Sequence, residues 1–513
     1  MKKEIAIEYA VKNTIFLYIG NIFVAISNLL ISIYIIRKLT IEEFGLYSFI
    51  LGSFFFVQIF SLSSISTILN RFVPELIERK RYSVLKKLLE YSFLIVFLSL
   101  IFIALLFNIF SKQFSTFFKL PDIVNYQGEI TFFLFGYIVL LYVRSISSST
   151  LLQKETAIMN ITASILRVLV YGVFIFNINL KKIFLIESLT SFFNAFQIYF
   201  LVILKFIKRN LNNESKDKIE SLKKRIIRYG ILSFFNEVGA GMINKSTSYY
   251  VISSMSNPVE LGKYSFAYKI NDLFMKIFPI DQIANVLKPI FFMKYVNKPN
   301  DKEYLNRMYI FLYKFFFWVF AFLCFYFISV SDLVIRFVFD PKYIDSKRIT
   351  DIIFMFTLFN AFQVPLAFVV LSLEKLEINL ISKISLVFNV VGSIIVIKYF
   401  GIIGVAVILG TSILMKNLII VVLLRKYIKL SFPLLSLLKT TSISLLLFFV
   451  ISLVKNLFIF NKTITAYIFI VVTFLLGIFL YYILSRLVNP FEKDEKDIVN
   501  SMLKKVKLSF IRL

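Results

Sequence analysis

The chain has no histidine, one cysteine and one tryptophan among 513 residues. Without histidine there is no imidazole general base, no histidine-ligated zinc and no axial histidine for haem. The single cysteine, Cys324, excludes any disulfide within the chain, and its place inside an apolar run reads as a small core residue. No metal or cofactor is therefore expected. Acidic residues are also scarce, with 30 Asp and Glu against 58 Lys and Arg, a net charge of +28. In a soluble protein that excess could suggest nucleic acid. Here a membrane explains it better, because basic residues collect in cytoplasmic loops, and no nucleic-acid partner is expected.

What the chain has in abundance is apolar surface: 59% of its residues are hydrophobic, against about 45–50% in soluble domains. Stretches of about 20 apolar residues recur along the whole length, each able to cross about 30 Å of hydrocarbon. The expected fold class is an all-α polytopic membrane protein. Fourteen spans are placed at 14–36, 46–69, 91–110, 130–151, 158–177, 183–204, 229–252, 262–283, 308–330, 350–372, 379–397, 402–424, 434–454 and 464–485. The longest polar segment, 205–228, is too short to fold alone. The first run follows a short charged stretch, Met1 to Asn13, and lacks a small-residue cleavage site, so it reads as a retained span.

An even number of spans puts both termini on one side. With the termini inside, about 34 Lys and Arg fall in inside segments and about 14 in outside ones. The bias predicts cytoplasmic termini. The expected organisation is a six-helix lobe over 1–204, a basic cytoplasmic linker over 205–228, a second six-helix lobe over 229–424, two additional spans over 425–490 and a cytoplasmic tail over 491–513. The tail is basic and amphipathic, which suits an anionic inner leaflet.

A repeat supports the two lobes. Glu43-Phe44-Gly45-Leu46-Tyr47-Ser48-Phe49 returns 217 positions later as Glu260-Leu261-Gly262-Lys263-Tyr264-Ser265-Phe266. A fainter echo, Leu152-Gln153-Lys154 and Leu373-Glu374-Lys375, keeps nearly the same offset. Duplicated halves are a signature of membrane transporters, whose substrate site lies where the halves meet. Gly45 and Gly262 suit a tight turn or close helix approach. Tyr47 and Tyr264 suit a membrane interface, where the ring keeps a polar tip wet.

The eighth span carries the most informative charges. Lys269, Asp272 and Lys276 follow i, i+3, i+7 spacing and share one helix face. Three charges at mid-membrane cost about 8–10 kcal/mol, and the apolar residues of the segment return about 2–4 kcal/mol. The face should therefore meet a water-filled cavity or partner charges, with Pro279 as a kink. A structural ion pair, Lys269–Asp272 or Asp272–Lys276, is the competing reading. Arg167 lies near the middle of the fifth span, Arg144 and Lys245 lie deep in the fourth and seventh, and Arg71 follows the second. Glu237 and Glu187 are the other intramembrane carboxylates singled out. Lys314, Lys383, Lys416 and Lys439 lie near inside ends and read as snorkelling side chains. An interior that leans basic favours an anionic substrate, with Arg as a phosphate clamp and Lys as a point charge.

Four stretches carry a family resemblance. Arg37-Lys38-Leu39-Thr40-Ile41-Glu42-Glu43-Phe44-Gly45-Leu46-Tyr47 resembles the motif after the first span of polysaccharide exporters. Asn70-Arg71-Phe72-Val73-Pro74-Glu75 resembles their second-span exit. Val259 to Tyr268 is similar to the start of their eighth span, and Gly401-Ile402-Ile403-Gly404-Val405-Ala406 to their turn into the twelfth. Together they resemble a Wzx-type O-antigen or oligosaccharide flippase of the multidrug/oligosaccharidyl-lipid/polysaccharide superfamily. The resemblance implies a non-enzyme with two six-helix lobes around a central cavity in the bacterial cytoplasmic membrane. It implies undecaprenyl-diphosphate-oligosaccharide as substrate, with membrane lipids, polymerase and chain-length regulator proteins as partners. Lys269, Lys276, Arg167, Arg144, Lys245 and Arg71 would serve the anionic substrate. Asp272, Glu237 and Glu187 would serve ion coupling or ion pairing. Many relatives are acidic where this chain has Asn244-Lys245-Ser246, which puts a coupling site there in doubt. A multidrug antiporter of the same superfamily would want an acidic cavity. A membrane-embedded polymerase would want a large outside loop, and none here is longer than about twenty residues.

Overall fold

The computed structural model describes residues 20–204, 220–277, 301–492 and 495–496, apart from positions 21, 151, 242–244, 374 and 461–462. Every regular element among the described residues is helical. Ten helical stretches there are long and apolar enough to cross a membrane. One of them, Glu377–Leu424, holds two of the expected spans. Gly401 interrupts it at φ 57° and ψ −149°, a left-handed conformation that glycine adopts without a Cβ clash. Gly392 packs on Ile408 and Gly404 on Val396, so the two halves run antiparallel as a hairpin. Spans one, seven and eight are also helical, over 22–38, Glu220–Gly241 with Lys245–Met255, and Pro258–Ile277. Spans seven and eight carry the intramembrane Lys, Glu and Asp, which is why they are less apolar than the rest. Pro279 and Asp281 lie outside the described residues.

The contacts divide the chain into two compact units, Met1–Gly262 and Lys263–Leu513. The division falls after the seventh span. Most of the expected linker, 205–219, lies outside the described residues.

In the first unit, span two (Ile41–Glu78) starts at a capping box. The Thr40 hydroxyl accepts from the Glu43 amide at 3.2 Å, and the Glu43 carboxylate accepts from the Thr40 amide at 2.9 Å. The second copy repeats the logic, with Asn257 Oδ1 accepting from the Glu260 amide at 2.9 Å. The repeated glutamate thus marks a helix start in both copies. The repeated glycines meet: a Cβ on Gly45 would lie 2.8 Å from the Pro258 carbonyl oxygen and 2.9 Å from the Gly262 nitrogen. A Cβ on Gly262 would lie 2.0 Å from the Ile41 carbonyl oxygen. The two helix starts approach backbone to backbone, as small residues permit. The tyrosines correct the interface expectation. Tyr47 is 6% exposed and Tyr264 fully buried; Tyr47 packs on Phe44 and Phe184. Ring packing covers both, Tyr47 by those two phenylalanines within the first unit and Tyr264 by Tyr268 within the second.

Span two has a π-helical turn at Ile59–Ser63, a local widening that is often functional. Just beyond it the Ser64 hydroxyl donates to the Gly230 carbonyl at 2.7 Å, tying span two to span seven. Spans four (Gln127–Ser149) and six (Leu180–Gln197) approach closely at Gly136, and the Ser188 hydroxyl donates to the Phe132 carbonyl at 2.9 Å. Span three (Tyr82–Phe117) turns Phe93, Leu98, Phe102, Leu105 and Ile109 outward, as a lipid-facing helix must.

The core of the second unit joins span nine (Lys302–Leu333) to spans thirteen (Leu434–Asn456) and fourteen (Thr463–Val488). Phe322, Tyr326 and Val330 pack against Ile443, Leu447, Ile451, Phe469 and Tyr481. Polar ends are bonded within the cluster. Trp318 Nε1 donates to Ser485 at 2.8 Å, and the Tyr326 hydroxyl to the Ile470 carbonyl at 2.6 Å.

Candidate functional site

The fifth and sixth spans bring two of the predicted residues together. Glu187 is buried on span six, and its Oε1 accepts from Arg167 Nη2 at 2.6 Å and Nε at 3.0 Å. The Tyr171 hydroxyl donates to the same oxygen at 2.6 Å. On its other side Arg167 Nη1 donates to Asn28 of span one at 2.6 Å. Arg167 and Tyr171 sit one turn apart on span five (Gln153–Val173), so one carboxylate collects both. Sequence spacing gave no sign of Asn28 or Tyr171 as partners, since both come from the packing of three helices.

Arg144 belongs to a separate, milder network. Its Nη2 donates to Asn160 Oδ1 at 2.9 Å, and Asn194 Nδ2 reaches the same oxygen at 3.0 Å. Spans four, five and six are bound there by neutral amides, with no carboxylate among the bonded groups. The buried Nε of Arg144 has no hydrogen-bond partner.

Arg71 sits near the end of span two, where the structure assembles more than the sequence indicated. Glu75 holds Arg71 at 3.2 Å and Arg79 at 3.3 Å, one turn away on either side. Arg225, at the start of span seven, grips both oxygens of Glu75 at 3.0 and 3.2 Å. The Arg225 guanidinium also lies over the Phe72 ring at 5.1 Å. The i, i+4 spacing of 71, 75 and 79 is visible in the sequence; the arrival of Arg225 is not.

On span eight, Lys269 and Asp272 are half-buried and Lys276 is exposed. Both Lys269 and Asp272 have partners. Next to them Asn271 Nδ2 donates to the Thr357 hydroxyl at 2.9 Å, and Lys263 pairs with Asp345 at 3.4 Å. Lys245 opens the second half of span seven and is half-buried, as is Glu237 on the first half.

Lys314 corrects the snorkelling expectation. Its side chain is 3% exposed, and its ammonium bonds Glu495 at 3.0 Å and Glu492 at 3.1 Å. The Glu492 amide donates to Glu495 at 2.7 Å, and Phe491 packs on Trp318. The segment after span fourteen folds back over the end of span nine, so the lysine meets carboxylates instead of water. Lys439 does reach an end, donating to the Asn489 carbonyl at 3.3 Å.

Ten helical stretches among the described residues, each long and apolar enough to cross a membrane, define a multi-pass membrane protein. Its fold is shared by transporters. It is similar to a lipid II flippase, MurJ, in an inward closed conformation, with a TM-score of 0.65 and 17% identity, covering 93% of this chain and 98% of that one. It is similar to a multidrug resistance MATE family transporter of the MOP superfamily in an inward-facing conformation, with a TM-score of 0.64 and 14% identity, covering 79% and 94%. No curated protein sequence matches significantly. Residues 10–293 match the polysaccharide biosynthesis protein family, which is more than half of the chain, and the protein belongs to that family.

Proposed function

We propose that the protein is a flippase of the Wzx type. It moves undecaprenyl-diphosphate-linked oligosaccharide from the inner to the outer leaflet of the bacterial cytoplasmic membrane by alternating access, for O-antigen or another surface polysaccharide. The observation that carries the reading is the family match joined to a flippase-like fold over 93% of the chain. The chemistry agrees. A diphosphate head cannot cross hydrocarbon unaided, because an unpaired charge at mid-membrane costs several kcal/mol. A protein that conveys it needs cations, and this chain has 58 Lys and Arg against 30 acids. The lipid tail stays in the bilayer throughout. Both termini face the cytoplasm, as the positive-inside bias requires.

Within this reading Lys269, Lys276, Lys245 and Arg144 serve the anionic head group. Arg167 and Glu187 form a structural pair, which leaves Asp272 and Glu237 as the carboxylates for ion coupling. The multidrug antiporter fold is superimposed almost as well, but a basic interior repels the cationic drugs such a transporter would carry. The test is to delete the gene, analyse surface glycan and extract lipid-linked intermediates. Loss of glycan, with the linked oligosaccharide confined to the inner leaflet, is the expected result. Single repeat units already outside would point to a polymerase, and intact glycan with drug hypersensitivity to a multidrug exporter.

A further inference from the structure

The arginine cluster on Glu75 is over-supplied with cations for a structural ion pair. Arg225 alone engages both carboxylate oxygens, which is the bidentate geometry that completes such a pair. Arg71 and Arg79 add one contact each and remain about half exposed, at 49% and 56% of the side chain. Each guanidinium has five donors, so most of theirs point elsewhere. Exposed pairs of this kind contribute only about 0–1 kcal/mol to stability, too little to explain three mutually repelling guanidiniums on one acid. They surround a pocket of about 450 Å³ lined by Asn70, Arg71, Pro74, Glu75, Arg79 and Arg225, with Glu78 also on its wall.

The surroundings select the kind of anion. Span two has 38 residues, about 57 Å of helix against about 30 Å of hydrocarbon. Its last turns therefore stand at the headgroup level. Arg225 lies on the same helix as a groove of about 600 Å³ lined by Lys223, Lys224, Ile227, Arg228, Ile231 and Leu232. The cations occupy the start of that helix. Ile227, Ile231, Leu232 and Phe235 follow and are exposed, which is a headgroup-to-acyl gradient.

We propose that Arg71, Arg79 and Arg225, aligned by Glu75, form a docking site for the diphosphate of a polyprenyl diphosphate lipid, whose chain lies along Ile227 to Phe235. The site rests on the flippase reading above and gives it a place of first capture on the cytoplasmic face. Glu75 is the positioning residue: it holds the three guanidiniums in register so that the spare donors converge on the phosphate oxygens.

The test is binding of a polyprenyl diphosphate without sugar to the purified full chain in phosphatidylcholine nanodiscs. Wild type, Arg79→Gln and Arg225→Gln are compared. Each substitution should weaken binding about tenfold to hundredfold, the loss expected for a charge-assisted contact. Thermal unfolding without ligand should change little, because both side chains are about half exposed. Inorganic diphosphate should compete poorly, since it cannot use the apolar groove, and so should phosphatidylglycerol, since it offers one phosphate charge. Wild-type binding with unaltered variants overturns this site and leaves the flippase reading standing. No binding by wild type overturns the site, and the flippase reading is then decided by the deletion test above. Equal competition by phosphatidylglycerol overturns the site as a diphosphate site and makes it a general anionic-lipid contact.

Discussion

Replacing Arg167 with leucine would strand Glu187, and the structure allows the consequence to be sized. Glu187 is 7% exposed, and two of the three donors on its Oε1 come from Arg167, at 2.6 and 3.0 Å. Breaking a buried pair by removing one partner costs about 3–5 kcal/mol, because the remaining charge has lost its compensation. Glu187→Leu should cost a similar amount, leaving the guanidinium the neutral Asn28 oxygen and the Tyr171 ring among the described residues. Replacing both together removes both desolvation penalties, so Arg167→Leu with Glu187→Leu should lie between no loss and a gain of about 1–4 kcal/mol. An ordinary hydrogen bond between membrane helices contributes about 0.6 kcal/mol, so the two single variants are well outside that range. The assay is chemical or thermal unfolding of the purified protein in detergent, run as a double-mutant cycle, with export measured in parallel. A structural pair predicts unstable singles, a stable double and export retained by the double. A double variant as unstable as the two singles summed, or a stable double that has lost export, would refute the argument and return Arg167 to the substrate.

The glycine contact predicts opposite signs at two glycines. Gly262→Ala should destabilise by about 1–3 kcal/mol, because its Cβ would meet the Ile41 carbonyl. Gly172→Ala meets nothing within 4 Å and should stabilise by about 0.4–1 kcal/mol; equal effects in unfolding measurements would overturn the close approach. Lys314→Met should loosen the packing of Phe491, Glu492 and Glu495 on span nine, seen as faster proteolysis next to Phe491; unchanged cleavage would mean that the two glutamates do not hold it. Lys269→Ala with Lys276→Ala should abolish glycan export at near-normal protein abundance, and normal export would remove span eight from the substrate path. Asp272→Lys rescued only by Lys269→Asp or Lys276→Asp would make those charges structural partners.

The fold was legible because hydrophobic length and charge bias follow from bilayer physics. Thirty ångströms of hydrocarbon set the spacing of apolar runs, and the repeat showed where two helices begin alike. The repeated glutamate and glycine were visible as a pattern; the helix-start role of the glutamate is local geometry, whereas the meeting of Gly45 with Gly262 joins two distant helix starts. Partner choice was not legible. Arg167 and Glu187 stood out separately, as a substrate cation and a carboxylate for ion coupling or ion pairing, because both are expensive in a membrane. Their mutual pairing depends on how spans five and six lie against each other, and no single-helix periodicity carries that. Lys314 was misread for a related reason. Distance from a span end is a one-dimensional measure, and the segment after span fourteen fills the space where water was expected.

Stoichiometry separates the charged networks more sharply than burial does. At Glu187 one cation meets one carboxylate, with Tyr171 as a neutral donor to the carboxylate and Asn28 as a neutral acceptor for the guanidinium. Such a site is electrically closed and has no use for a charged ligand. At Lys314 two carboxylates meet one cation. That site carries spare negative charge and would repel a diphosphate. At Glu75 three guanidiniums meet one carboxylate, and the surplus is positive and half open to solvent. On the proposed reading, an anionic lipid is drawn to the third kind of site and turned away from the second. A transporter of anionic lipids needs that difference between its charged sites, since capture calls for surplus positive charge at the membrane surface. Passage calls for cations that release their cargo again, so the residues that convey the head group should be weaker and less numerous than those that capture it. Lys point charges on span eight meet that requirement better than a fork of arginines would.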